Sequence, residues 1–117
     1  MIPEKGFYYH YRHDQSGAVN NYAYEVLGTA FSTESKRAGV HSDSPKDFFE
    51  DEVVVYRPLY ESSIVYKTGK RFWYRPVKMF LEDIEKEGKT FPRFQKIIDS
   101  AVVDELEIIR NQMYLYE

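Results

Sequence analysis

A chain of 117 residues is the length of one ordinary domain. Its 43% hydrophobic content, with 11 Tyr, 8 Phe and 1 Trp, supplies a core and excludes disorder over the whole length. It has no Cys, so no disulfide, thiolate nucleophile or Cys-based zinc site, and its net charge of −3 excludes a wholly basic nucleic-acid coat.

Gly6 to Arg12 is aromatic-rich and predicts a strand, with Phe7, Tyr9 and Tyr11 on one face and Tyr8, His10 and Arg12 on the other. Turn residues follow, Asp14 to Gly17 and Asn20-Asn21. Tyr22 to Ala30 predicts a second strand, with Tyr24 and Val26 facing opposite to Glu25 and Leu27, and a bend or bulge at Gly28. Residues 31–51 form a long polar connection, of the kind that is functional or mobile. Within it Ser44, Pro45 and Asp47 predict a capped helical turn that Phe48 and Phe49 anchor.

Glu52 to Tyr60 is the strongest strand. Its Val53-Val54-Val55 run predicts burial on both faces, and Pro58 places its second half at an edge or bulge. Ile64 to Tyr66, a turn at Thr68 to Lys70, and Arg71 to Arg75 predict a hairpin; Pro76 starts a turn or short helical piece, Val77 to Phe80. Leu81 to Glu85, a turn at Glu87 to Lys89, and Thr90 to Phe94 complete the strands, the last closing the sheet. Asp99 is a good helix cap. Val102, Leu106, Ile109 and Met113 then make one stripe of a helix over about 100–114.

Short strands, turn residues and one late helix predict a mainly β fold. Curling into a small β-barrel would remove the sheet edges. The expected division is a barrel domain over 1–97 and a C-terminal helix over 98–117 packed on it; pairing of two chains through the helix stripe is the alternative. No apolar run is long enough to span a membrane, and MIPEKGFYYHYRH has no apolar signal core, so a cytoplasmic location is expected.

Common nucleotide and hydrolase motifs are missing: there is no P-loop, G-x-G-x-x-G, G-x-S-x-G or H-E-x-x-H. His10 and His13 fall on opposite faces if the strand continues between them, which argues against a shared metal. His10 beside a carboxylate is a candidate acid–base pair, with Glu25 and Glu34 as partners by sequence; the alternative is a half-buried His bonded to the backbone.

Charge is uneven: residues 53–78 carry six bases against Glu61 alone, and the rest of the chain is mildly acidic. Such a band attracts an anion or pairs with the acidic segments around it. The aromatic and basic residues include Tyr8, His10, Arg12, Arg57, Tyr60, Trp73 and Arg75, of the kind with which small barrels hold single-stranded nucleic acid or extended peptides; the alternative places most of these rings in the core.

Five ordered motifs over about residues 5–97 carry a family resemblance. They are Gly6, Tyr8, His10, Tyr11 and Arg12; Tyr24, Val26, Leu27, Gly28 and Ala30; Val54 to Arg57 with Leu59 and Tyr60; Trp73, Arg75, Pro76, Met79 and Phe80; and Gly88, Lys89 and Pro92 to Phe94. In this order they resemble the bacterial domain-of-unknown-function family numbered 1653. The resemblance implies a compact Src-homology-3-like β-barrel and no established activity. One motif departs from the family's H-S-E-T: Ser32 to Ser35 lacks the His, and His41 to Ser44 keeps it after an insertion.

The expected function is that of a small cytoplasmic binding module with no cofactor. Its groove of Tyr8, His10, Arg12, Tyr60, Trp73 and Arg75 would hold an anionic or extended ligand, an RNA segment or a peptide. The rival is a small-molecule enzyme or sensor that uses His10 with Glu34 or the His41 segment. A third expectation is an accessory protein that assembles through its C-terminal helix.

Overall fold

Aromatic and β-branched residues set the strands. A computed structural model describes residues 2–31, 52–61 and 72–114. In chain order they form β1 (Gly6–His10), β2 (Ala23–Phe31), β3 (Glu52–Pro58), β4 (Trp73–Pro76), α1 (Val77–Phe80), β5 (Asp83–Lys86), β6 (Lys89–Pro92), β7 (Phe94–Lys96) and α2 (Ser100–Met113). The architecture is mainly β with a C-terminal helix. The predicted turn around Ser44 to Phe49 and the strand at Ile64 to Tyr66 lie outside the described residues.

Among the described residues, five strands make one antiparallel sheet in the order β4-β3-β2-β1-β7, while β5 and β6 pair with each other. The expected barrel is therefore corrected: among the described residues the sheet is open. The segment Thr90 to Phe94 does not close it, because Arg93 separates β6, which stays in its own ribbon, from β7, which joins β1. Among the described residues the two edge strands are short, three residues in β7 and four in β4, and β4 ends on Pro76, which has no N–H to offer a ladder.

The register of β2 against β3 shifts between Val26 and Gly28, the expected bulge, where Gly28 takes a φ of 153°. Pro58 pairs with Tyr24 on β2 but lies beyond the β3–β4 pairing, which ends at Tyr56, so its missing N–H breaks no bond to β4. Strand β1 ends at His10, two residues before the predicted end, and Arg12 lies in the turn that follows. The β5–β6 ribbon turns on Glu87 and Gly88, both at positive φ, the backbone a two-residue hairpin turn requires.

The sheet is covered on both faces. Tyr8, Tyr24, Val26, Val54, Tyr56, Val77, Phe80 and Phe94 form one buried cluster, with α1 over it. Phe7, Ala23, Leu59, Ile97, Leu106 and Tyr114 form the other, against α2. Asp99 caps α2 by accepting from the backbone N–H groups of Ala101 and Val102. The stripe of Val102, Leu106, Ile109 and Met113 packs on the sheet, and complete burial of Leu106 contributes roughly 2–3 kcal/mol. That stripe is thus occupied within the chain. No helix among the described residues is long and apolar enough to cross a membrane.

Candidate ligand-binding face

The face under α1 ends in a rim of rings and guanidinium groups. Alternation along β1 and β4 sends His10, Trp73 and Arg75 to this side, and β7 places Phe94 directly across from His10. The rings of His10 and Phe94 meet edge to face at 5.1 Å, and the Arg75 guanidinium lies over Phe94 at 5.3 Å. Trp73 stands edge-on to Tyr56 at 6.0 Å and lies 6.4 Å from Tyr24. Tyr60 reaches the same rim from the end of β3, its hydroxyl 2.5 Å from that of Tyr24. Tyr22 bridges the two sides, 5.8 Å from His10 and 5.7 Å from Tyr60. It sits at a φ of 52°, a left-handed conformation that a bulky residue rarely takes.

His10 reports the potential here. Burial first, then the guanidinium groups of Arg75, Arg93 and Arg12, hold its pKa down at about 4 from an ordinary 6.5. Its Nδ1 accepts from the Arg12 backbone N–H at 3.2 Å, which leaves the proton of the neutral ring on Nε2. Burial and the shared hydrogen bond push the Tyr24 phenol far above its usual range, and burial raises that of Tyr60. Arg93 pairs with Glu82 at 3.5 Å, while its buried Nε has no hydrogen-bond partner. Arg75 has no acidic partner among the described residues.

Of the six residues expected to line a groove, His10, Tyr60, Trp73 and Arg75 meet on this face. Arg12 is exposed in the adjoining turn, its Nε donating to the Tyr11 hydroxyl at 3.2 Å. Tyr8 shares the face but is sealed into the core: its ring is edge-on to Phe80 at 5.4 Å, and its hydroxyl donates to the Glu4 carbonyl at 2.9 Å. Tyr22 and Arg93 belong to the rim without having been expected there. Tyr22 stands at the start of the second predicted strand, and Arg93 inside the predicted strand Thr90 to Phe94, where alternation sets it opposite Phe94.

The proposed partnership of His10 with Glu25 is corrected. Glu25 pairs across from Phe7 and faces α2, where its carboxylate accepts from Arg57 Nε at 2.9 Å and Arg110 Nη1 at 2.8 Å. Glu34 and His41 lie outside the described residues. The His13 ring is stacked on Tyr9 at 3.5 Å and donates from Nδ1 to the Asn21 carbonyl at 2.7 Å. Among the described residues no three His, Cys, Asp or Glu side chains are grouped to hold a metal ion.

A family model, described as a protein of unknown function (DUF1653), matches residues 6–96. The chain belongs to the DUF1653 family. The matched span holds the seven described strands and α1 and ends before α2. No curated protein and no solved structure matches the chain. In this DUF1653 chain every described rim residue, from His10 to Phe94, therefore falls inside the family segment. Chemically, the rim offers flat rings for stacking, guanidinium groups for an anion, and a neutral imidazole as a hydrogen-bond donor.

Proposed function

We propose that this DUF1653 chain is a cytoplasmic binding module whose aromatic and basic rim holds a segment of single-stranded RNA. One observation carries the proposal: Arg75 has no acidic partner among the described residues, yet lies over Phe94 beside a His10 that burial, and then the guanidinium groups around it, keep neutral. An anion there meets a partly desolvated cation already oriented by a ring. Around it Trp73, Tyr60 and Tyr22 offer ring faces, and each stacked base contributes about 1–3 kcal/mol. A strand that alternates phosphates and bases matches that alternation of guanidinium and ring.

An extended peptide fits less well. It would add to a sheet edge, and among the described residues the edges are a three-residue strand and one that ends on proline. The enzyme reading has no carboxylate beside His10 among the described residues.

The test is equilibrium binding of a labelled single-stranded RNA hexamer at two salt concentrations. Binding should weaken steeply with salt, and Arg75→Ala should lower the slope of log affinity against log salt by about 0.7, the share of one phosphate on a single strand. Absence of binding at low salt, or affinity indifferent to salt, would overturn the proposal.

A further inference from the structure

A second concavity adjoins the rim. At the end of β1 a cleft of about 320 Å³ is walled by the rings of Tyr9, His10, Tyr11, His13 and Phe91. Its walls are fixed in advance. Tyr9 and His13 are stacked within 14° of parallel, and each is tied down: the Tyr9 hydroxyl donates to the Val19 carbonyl at 2.5 Å, and His13 Nδ1 to the Asn21 carbonyl at 2.7 Å. Tyr11 leans on His10 at 4.4 Å and faces Phe91 at 5.8 Å. The side-chain amides of Gln15 and Gln95 also line the cleft, and neither makes a hydrogen bond to the described residues. With Nδ1 engaged as a donor, His13 keeps Nε2 as an acceptor.

This combination suits a flat heterocycle: aromatic walls to stack against, and donors and acceptors for its edge. A proline ring would use the aromatic walls but leave both amides unanswered. His10 belongs to the cleft and to the basic rim alike, so a ligand that crosses it is in both sites at once. We infer that this cleft takes one unstacked nucleobase of the bound strand, stacked on the rings and met at its edge by Gln15 and Gln95. The inference rests on the RNA proposal for the rim and adds to it the place where base identity is read.

The full chain, isotope-labelled for NMR, is titrated with adenosine 5′-monophosphate and, separately, with ribose 5-phosphate. The nucleotide should move the side-chain resonances of His13 and Gln95, and the sugar phosphate should not. In parallel, hexamers with one abasic nucleotide at each position are compared with the intact strand. One position should cost roughly tenfold in affinity, the scale of one stacked base. Gln15→Ala combined with Gln95→Ala should weaken the intact hexamer but not that abasic one.

If the intact hexamer binds and no abasic position matters, the cleft inference is overturned and the rim proposal stands. If the nucleotide moves the cleft resonances and no hexamer binds, the rim proposal fails and the cleft remains a nucleotide site. A proline-rich peptide that moves them where the nucleotide does not would overturn the inference in favour of a peptide.

Discussion

The two faces of the sheet use the same residue types to opposite ends. Under α2, Glu25 takes hydrogen bonds from Arg57 and Arg110, and the Arg57 guanidinium is pressed on the Tyr114 ring at 4.0 Å. Tyr114 in turn donates to the Pro58 carbonyl at 2.6 Å. Both Glu25 and Arg57 are buried, and each answers the other. On the opposite face three guanidinium groups bear on His10, and the acid paired with one of them, Glu82, is itself half exposed. Arg57 and Arg75 come from one basic stretch of sequence, yet one is consumed in joining the helix to the sheet and the other is left open. A local excess of charge therefore does not locate a site; burial and pairing divide it between structure and recognition.

The largest effect is expected where the contrast is sharpest. Glu25→Ala leaves the Arg57 cation buried without its carboxylate and should cost about 3–5 kcal/mol of stability by urea denaturation. A loss below about 1 kcal/mol would mean that the closed face is not held by this pair.

Next comes the pH response of the open face. As pH falls below 6.5 the unfolded chain protonates His10, whereas the folded chain resists until about 4. The unfolded state binds more protons across that window; with solvent screening of this partly exposed ring, stability should fall with pH by about 1–2 kcal/mol from this residue, and His10→Gln should remove that part. Identical pH profiles for the two proteins would show that neither burial nor the guanidinium groups hold His10 neutral in the folded chain.

A smaller effect sharpens the comparison at the helix. Asp99→Ala removes the cap of α2 and should cost about 1 kcal/mol by urea denaturation, with RNA affinity unchanged because α2 lies on the far side of the sheet. Smallest is Arg75→Ala, whose stability should stay within about 0.5 kcal/mol of the parent, since its guanidinium holds no acid among the described residues. A loss of several kcal/mol by the same measurement would place Arg75 in the structural class with Arg57.

Much of this was legible in the chain itself. Alternation assigned the faces of β1 and the first half of β2, Gly28 marked the bulge, and the stripe from Val102 to Met113 with Asp99 before it gave α2. What alternation cannot give is depth and register. Tyr8 and His10 share a face, but Tyr8 lies under Phe80 and His10 reaches the rim. Order along the chain leaves Glu25 open to His10; pairing with Phe7 turns it to the other side. Closure of the sheet is likewise a long-range property: the break at Arg93 sends β6 and β7 to different partners, and no local pattern announces it.

Trp73 is the only tryptophan in the chain and stands on the open rim, so its emission reports that face directly. Titrated with a single-stranded RNA hexamer at low salt, the folded chain should show saturable quenching that is relieved by added salt and weakened in Arg75→Ala. Emission that stays unchanged at low salt, or quenching that is the same in Arg75→Ala, would contradict the assignment of this face to RNA.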